Sequence, residues 1–334
     1  MCATTPQQGI LGREPTIVTV TLNPSLDRTI DVVTLDRGSV QRVTTARLDP
    51  GGKGVNVARA LLANDVAVRA VVPVAGREGD HLIELLEREG VDVEVVRVHG
   101  HTRSNTAIVE ADGTVTKLNE PGPTLTGADL DTVAAAVLAA AAPGSWVALC
   151  GSLPPGLPVG AYASLTQLFR AAGLRVVVDS SGAAFRAAIS AGPDLVKPNT
   201  EELSEFVGRP LRTLSEIIEA AHEVRDAGAR TVLVSCGADG AVLVGDEIVL
   251  GTSPVSDPRS SVGAGDAFLA GFLSADGAGS SPSGSFSEAL AWGAAAVRLP
   301  GSRMPAASDI DRSIVHLGAG TAHAQFAPLT EGRS

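Results

Sequence analysis

Short apolar runs alternate along the chain with longer stretches in which apolar positions recur at helical spacing. The apolar runs are rich in Val, Leu and Ile and lie at 16–22, 66–74, 146–150, 175–179, 195–197, 231–235 and 241–244. The helical patterns lie at 51–64, 80–89, 161–172, 201–207 and 215–227. Strands that alternate with helices predict an α/β fold, in which helices cover both faces of a mainly parallel sheet.

Two polar segments, 25–47 and 99–122, interrupt this rhythm because apolar and polar residues alternate within them. Such alternation is typical of half-exposed strands, and Asp112-Gly113 predicts a hairpin turn in the second segment. We therefore expect a small second sheet that stands over the main domain and serves as a lid or a dimer surface.

The domain boundaries follow from where these patterns stop. We expect one domain over 15–320, with flexible tails at 1–14 and 321–334. The low-complexity stretch at 277–287 is predicted to be a surface loop.

Composition and charge narrow the class of protein. Of the 334 residues, 44% are apolar and only 3% aromatic, so the core is expected to consist of aliphatic side chains, as in a buried parallel sheet. The net charge of -11 argues against nucleic-acid binding, because an acidic chain repels phosphate backbones. A small phosphorylated substrate stays possible where cationic side chains cluster locally.

The cysteine spacing and the hydropathy of the chain indicate the cellular compartment in which the protein is expected. Cys2, Cys150 and Cys236 are spaced for neither a zinc site nor a disulfide framework, which predicts a reducing cytoplasm. The first residues lack the apolar core of a signal peptide, and no apolar run is long enough for a membrane span. We expect no membrane partner.

The strongest chemical motif is Gly263-Ala264-Gly265-Asp266, which precedes an apolar helical run. The glycines let backbone N–H groups approach a ligand, and the helix N-terminus favours an anion. A carboxylate in the first helical turn can accept a proton, or it can merely cap the helix. The spacing alone leaves both interpretations open.

Several motifs together resemble the PfkB branch of the ribokinase-like sugar kinases, over about residues 16 to 315. The segment 263–266 matches the C-terminal signature of that family, and 51–58, Gly-Gly-Lys-Gly-Val-Asn-Val-Ala, matches the N-terminal one. Further motifs fall in the family's order at 21–27, 102–105, 151–156, 179–182 and 196–199. The likeness is greatest to the phosphofructokinases and tagatose-6-phosphate kinases.

The resemblance implies a ribokinase-like three-layer α/β/α sandwich with a small β-sheet lid. It also implies phosphoryl transfer from ATP, with Mg²⁺, to a sugar hydroxyl. Asp266 is then the general base. The backbone N–H groups of Gly263, Ala264 and Gly265 form the anion hole for the transferred group, in a reaction that depends mainly on positioning and charge stabilisation.

On the sugar side, the resemblance assigns roles to residues from several motifs. The expected substrate-binding residues are Asp27, Gly51, Gly52, Lys53, Asn56, Arg103, Asn105 and Ser152. Arg103 is the candidate for the phosphate that the substrate already carries, because a guanidinium binds phosphate oxygens in bidentate fashion. The alternatives are a turn cap for Asp27 and solvent-facing side chains for Arg103 and Lys53.

On the nucleotide side, the expected ATP-binding residues are Lys197, Asn199, Ser235, Gly237, Gly240, Ser261, Gly263 and Gly265. Glu202 is expected to act on Mg²⁺ through water, since Mg²⁺ often keeps several waters. The alternative is that Glu202 only favours a helix N-terminus. Cys236 replaces a leucine that is commoner in relatives, and we expect no catalytic role for its thiol.

The substrate is less constrained than the reaction. Lys53 is common to fructose-1-phosphate and tagatose-6-phosphate kinases, whereas fructose-6-phosphate relatives carry Gly there. We therefore favour fructose 1-phosphate, converted to fructose 1,6-bisphosphate, and a homodimer formed through the lid. The alternatives are tagatose 6-phosphate or fructose 6-phosphate, an unphosphorylated sugar or nucleoside, and a non-catalytic sugar-phosphate sensor. Neither a P-loop nor a Rossmann glycine motif is present.

Overall fold

The structure is a computed structural model and describes residues 17–43 and 45–319. The predicted tails lie outside the described residues. The strands are β1 Ile17–Thr21, β2 Ser25–Val32, β3 Thr45–Gly51, β4 Val68–Val74, β5 Asp92–Arg97, β6 Arg103–Glu110, β7 Val115–Asn119, β8 Trp146–Cys150, β9 Arg175–Asp179, β10 Leu195–Val196, β11 Val232–Ser235, β12 Ala241–Val244, β13 Ile248–Thr252 and β14 His316–Ala319. The helices are α1 Lys53–Leu62, α2 Gly76–Glu89, α3 Gly127–Ala140, α4 Ala161–Ala171, α5 Gly182–Ile189, α6 Thr200–Val207, α7 Leu214–Asp226, α8 Ala264–Gly277 and α9 Pro282–Val297.

The main sheet has ten strands in the order β14-β13-β12-β11-β10-β9-β8-β1-β4-β5. All neighbours from β5 to β11 pair in parallel, whereas β12, β13 and β14 extend the sheet with antiparallel pairs. Parallel strands need covering helices on both faces, which explains why their sequences read as continuous apolar runs.

Two separate apolar cores flank this sheet. Ile17 of β1 packs into one core with α1, α2, α8 and α9, and its neighbour Val18 packs into the other with α3, α4, α5 and α7. Successive strand residues point to opposite faces, so one strand supplies both cores. The predicted three-layer α/β/α arrangement is confirmed.

The small second sheet is also confirmed. Its strand order is β3-β2-β6-β7, with β2 and β6 parallel and the outer pairs antiparallel. The turn at Asp112-Gly113 joins β6 to β7, and Gly113 has the left-handed φ of 91° that such a turn favours. Its strands begin at Ser25 and end at Asn119, close to the limits predicted from alternation.

The surface loop predicted at 277–287 is confined to 278–281, so its predicted extent is wrong. Helix α8 extends to Gly277, and α9 already begins at Pro282. Ser281 caps α9 by accepting a hydrogen bond from the Gly284 N–H, and proline at the first helical position fits because its missing N–H needs no partner there. Residues 277–282 are exposed, whereas Ser285 and Phe286 in the first turns of α9 are buried and pack into the core.

No helix in the described part of the chain combines the length and apolar character that crossing a membrane requires.

Candidate active site

The carboxyl ends of the parallel strands bring the predicted residues to one edge of the main sheet. Strand β1 ends at Thr21, β9 at Asp179, and β10 just before Lys197. Ligands bind at this edge in open α/β sheets. Helices α1 and α8 begin near the same edge, since Lys53 at the start of α1 is 2.7 Å from Asp179 and Gly265 in the first turn of α8 lies beside Lys197.

Asp266 lies in the first turn of α8, and its side chain is buried with 7% exposure. Gly263 precedes the helix with a left-handed φ of 77°, a conformation that favours glycine and turns the chain into α8. The Asn56 amide donates a hydrogen bond of 2.8 Å to Asp266 Oδ2, which joins the two family signatures directly.

The environment of Asp266 raises its pKa to about 6. Burial is the largest cause and the negative charge of Asp179 the second, while Asn56, Lys53 and Lys197 lower the pKa. A carboxylate with a pKa near the working pH is suited to accept a proton. A helix-capping role does not require this environment.

A cluster of charges lies beside Asp266. Lys53 Nζ is 2.7 Å from Asp179 Oδ1 and 3.4 Å from Glu202 Oε1, and Lys197 Nζ is 3.3 Å from Asp179 Oδ2. Burial lowers the pKa of Lys53, but the charges of Asp179 and Glu202 raise it by more, so its ammonium is fully protonated. Burial likewise raises the pKa of Asp179, and the two lysines lower it below its usual range.

Lys197 also lies beside the glycine loop that begins α8. A Cβ atom built on Gly265 would lie 3.6 Å from Lys197 Nζ. The Ala264 N–H donates a 3.3 Å hydrogen bond to the Ser261 carbonyl, whereas Ser261 itself is exposed. The loop therefore combines helix N-terminal amides with an ammonium group, an arrangement that favours an anion.

Asp27 lies in the small sheet, where its hydrogen-bond partners come from its own strand β2 and the neighbouring strand β6. Asp27 Oδ1 accepts hydrogen bonds from Ser25 Oγ at 2.7 Å and Asn105 Nδ2 at 3.0 Å. Asn105 is directly opposite Asp27 in the β2–β6 register. A Cβ on Gly51 would lie 2.3 Å from the Asp27 carboxylate, so only glycine permits this close approach.

Arg103 begins β6 and is held by backbone groups. Its Nε donates to the Asn23 carbonyl at 3.2 Å and its Nη1 to the Glu120 carbonyl at 3.4 Å. Burial lowers the pKa of Arg103, while Asp27 opposes this shift; arginine stays cationic in proteins. The Asn23 amide also donates to Ser152 Oγ at 3.4 Å, so Asn23 connects two predicted phosphate-binding residues.

Glu202 forms a reciprocal capping box with Asn199 at the start of α6. Glu202 Oε2 accepts from the Asn199 N–H at 3.0 Å, and Asn199 Oδ1 accepts from the Glu202 N–H at 2.7 Å. This geometry accounts for the helix-capping alternative. It leaves Glu202 Oε1 facing Lys53 at the site.

The remaining nucleotide-side residues form a loop next to Asn199. A bridge pairs Asn199 with Ser235, and a 3-10 turn follows at Gly237–Asp239 before Gly240. Burial raises the pKa of the Cys236 thiol to about 11, so it stays protonated at neutral pH.

Within the described residues, no hydrogen bond or ion pair joins the Asp27 and Arg103 groups directly to Asp266.

Buried oxygens without hydrogen-bond partners concentrate at this edge. Among the described residues, these include Asn23 Oδ1, Asn56 Oδ1 and Asn105 Oδ1, while Asp179 Oδ2 has only the 3.3 Å ion pair with Lys197. Such atoms are rare in folded proteins and are usually satisfied by water or a ligand. No role is predicted from the sequence for Asn23 or Asp179, although they lie in the motifs 21–27 and 179–182.

Comparison with known proteins identifies the family. A sequence profile described as pfkB family carbohydrate kinase matches residues 20–309. A 1-phosphofructokinase from Rhodobacter capsulatus is 45% identical over 266 residues, which are 78% of this chain and 83% of the relative. An ATP-dependent 6-phosphofructokinase isozyme 2 from Escherichia coli (strain K12) is 39% identical over 261 residues, 76% of this chain and 83% of the relative.

A solved structure supports the same assignment. Phosphofructokinase-2 from Escherichia coli, in complex with substrates and products, superposes with a TM-score of 0.83 at 34% identity, over 88% of this chain and 96% of that one. The ribokinase-like fold is thereby confirmed. The chain belongs to the pfkB family of carbohydrate kinases and is an ATP-dependent sugar kinase, a phosphotransferase.

Proposed function

We propose that this kinase transfers the γ-phosphoryl group of ATP to a hydroxyl of fructose 1-phosphate, giving fructose 1,6-bisphosphate and ADP. The observation that carries the proposal is the buried Asp266 carboxylate at the N-terminus of α8, bound to Asn56 at 2.8 Å. The choice of fructose 1-phosphate as the substrate rests on the relatives that are named 1-phosphofructokinase.

In this mechanism Asp266 accepts the proton of the attacking sugar hydroxyl as the oxygen–phosphorus bond forms. The bond between the γ-phosphorus and the bridging oxygen breaks, and ADP leaves. The amides of Gly263, Ala264 and Gly265 stabilise the transferred group. The Ala264 N–H makes a long bond of 3.3 Å to Ser261, with which a phosphoryl oxygen can compete.

The sugar binds between the small sheet and α1. Asp27, Gly51, Gly52 and Asn56 contact its hydroxyls, and Arg103 binds the existing phosphate, with Asn105, Ser152 and Lys53 nearby. The unpartnered oxygens of Asn56 and Asn105 support this assignment, because hydroxyl groups can donate to both. Small movements of Lys53 between Asp179 and a phosphate oxygen are compatible with its flexible stem.

ATP binds along Lys197, Asn199, Ser235, Gly237, Gly240 and Ser261. Glu202 would hold Mg²⁺ through a water molecule when the ion arrives with the nucleotide. The described residues contain no group of three or more His, Cys, Asp or Glu side chains able to hold a metal ion. A single carboxylate oxygen beside the phosphate site suits Mg²⁺, which takes its other ligands from phosphates and water. When bound, Mg²⁺ neutralises charge on the phosphates.

The choice of phosphosugar is tested directly by comparing kcat/KM for fructose 1-phosphate, fructose 6-phosphate and tagatose 6-phosphate. We expect fructose 1-phosphate to exceed both others by at least about tenfold, which corresponds to about 1.4 kcal/mol of transition-state discrimination. The similarity to a 6-phosphofructokinase makes fructose 6-phosphate the second candidate. A tenfold preference for either competitor would reverse the assignment.

The pH dependence follows from the state of the base. Because the pKa of Asp266 is raised to about 6 and the base must be ionised, kcat/KM is expected to fall below about pH 6, approaching tenfold per pH unit. An exposed aspartate would place this limb near its ordinary value of about 4. Initial rates in buffers of constant ionic strength check it, and activity that stays constant down to pH 4.5 would contradict it.

The small sheet is proposed to act as a lid and as the contact in a homodimer. Exposed apolar side chains, Val33, Val115 and Leu118, lie on or next to it. Exposed apolar side chains can be covered by a partner subunit. We also propose a cytoplasmic location, which suits the free thiols of Cys150 and Cys236.

A further inference from the structure

We propose that Asp179 is a positioning residue, which holds Lys53 and Lys197 in the geometry that phosphoryl transfer requires. This role rests on the kinase function proposed above and adds a residue to it. Asp179 ends β9 at the carboxyl edge of the main sheet, and its side chain is 0% exposed.

The contacts of Asp179 divide between its two oxygens. Lys53 Nζ lies 2.7 Å from Oδ1, and Lys197 Nζ lies 3.3 Å from Oδ2. A carboxylate taken out of water is costly unless cations and hydrogen-bond donors compensate it. The same contacts fix two lysine side chains that otherwise have many rotamers.

The two lysines come from opposite sides of the site. Lys53 is the first residue of α1, and it follows the glycine pair of which Gly51 packs against Asp27 on the sugar side. Lys197 Nζ lies 3.6 Å from the Cβ position of Gly265 on the phosphoryl side. Asp179 therefore links both halves of the site through one buried charge.

Precise placement of these ammonium groups matters because lysine acts as a compact point charge on a flexible stem. Charge stabilisation is effective only where the charges are oriented before the reaction. A displacement of about 1 Å can cost on the order of 10²-fold in rate. A buried anion paired with both lysines supplies this orientation.

If the ion pairs of Asp179 were only structural, removing them would change the stability of the fold alone. If Asp179 is a positioning residue, removing its charge also changes the pKa of Asp266, the general base. The groups that face Asp266 are Asn56 and Lys53 from α1, Asp179 from β9, and Lys197 after β10. After burial, the charge of Asp179 is the largest cause that raises the pKa of Asp266. Removing that charge should move the acid limb of the pH profile to lower pH.

The test is Asp179→Asn, assayed with the phosphosugar that the wild-type protein uses best. We expect kcat to fall by on the order of 10²-fold, the KM for the sugar to change by less than about threefold, and the acid limb to move to lower pH. The matched control is Asp194→Asn. Asp194 precedes β10 at the opposite edge of the sheet and pairs with Arg170 and Arg230 at 3.6 and 3.3 Å. The Asp194→Asn variant should have a lower Tm but the wild-type kcat and the wild-type acid limb of the pH profile.

A folded Asp179→Asn protein with kcat within about threefold of wild type, or with an unmoved acid limb, would overturn the positioning role. If this variant does not fold, Asp179→Asn combined with Lys197→Met removes the unpaired buried cation as well. The double variant should lose no more activity than Lys197→Met alone, and additive losses would also overturn the role. A wild-type protein that phosphorylates none of the phosphosugars refutes the proposed function first, and the positioning role with it.

Discussion

Asp266→Asn is expected to lower kcat by ~10²–10⁴-fold with the preferred phosphosugar, because the variant has no group to accept the hydroxyl proton. Asparagine is nearly isosteric and can still accept the hydrogen bond from Asn56, so binding of sugar and ATP should change little. Coupled ADP-release assays measure the turnover, and equilibrium titration of the phosphosugar measures binding. Retention of binding with loss of turnover also separates a kinase from a sugar-phosphate sensor.

Stability provides the control for this substitution. In the wild-type protein the pKa of Asp266 rises from 3.8 to about 6, so ionising this carboxyl disfavours the folded state by roughly 3 kcal/mol above pH 6. The penalty fades as the pH falls from 6 towards 3.8, where the carboxyl is protonated in both states. Asp266→Asn should therefore raise Tm at pH 7.5, and the gain should be smallest near pH 4. An inactive variant with a lowered Tm at pH 7.5 would point to misfolding.

The opposite end of the same helix supplies a matched variant. Asp276 accepts a hydrogen bond from the Trp146 indole at 2.8 Å and pairs with Arg175 at 2.5 Å, at the amino edge of the sheet. Asp276→Asn should destabilise the fold while leaving kcat within about twofold of wild type. Equal losses of kcat in the two variants would contradict the assignment of Asp266 as the base.

Some elements could be predicted from the sequence because they are buried on both faces. β8, β9 and β12 agree with the predicted apolar runs to the residue, since each run is fully or almost fully buried and ends at polar or glycine residues. β5 was missed because it lies at the edge of the sheet, where acidic and apolar residues alternate and half of it is exposed. α5 was missed because it is short and begins at glycine.

The site was predictable where neighbouring residues form a motif. The glycine signatures indicated both Asn56 and Asp266, although the hydrogen bond between them spans 210 positions. The contacts of Asn23 and Asp179 were not predictable, because their partners lie up to 129 positions away in the chain and are brought close only by the strand order. Lys53 lies at the site, as predicted. Its ammonium group pairs with Asp179 and Glu202, however, and no local spacing in the sequence indicates this pairing.

Arg103→Ala is expected to lower kcat/KM for the phosphosugar by about 10²-fold or more. A charge-assisted hydrogen bond contributes about 1.5–3 kcal/mol, and a guanidinium bound to phosphate makes two. Turnover of the corresponding unphosphorylated sugar, however slow, should change by less than about threefold, since it carries no group for Arg103 to bind. Arg103→Lys should recover part of the loss, because it restores the charge without the bidentate geometry.

Arg28→Ala is the matched control for this prediction. Arg28 belongs to the same small sheet but is exposed, next to Asp27 on a strand whose successive side chains point to opposite faces. Arg28→Ala should therefore leave kcat/KM within about twofold of wild type. If positive charge near the site only attracted the anionic substrate in general, Arg28→Ala and Arg103→Ala would lower kcat/KM to a similar extent. Arg103 also holds the Asn23 carbonyl, so Tm must accompany the kinetics. If Arg103→Ala reduces the phosphorylated and unphosphorylated sugars equally, the arginine supports the loop and the phosphate is bound elsewhere.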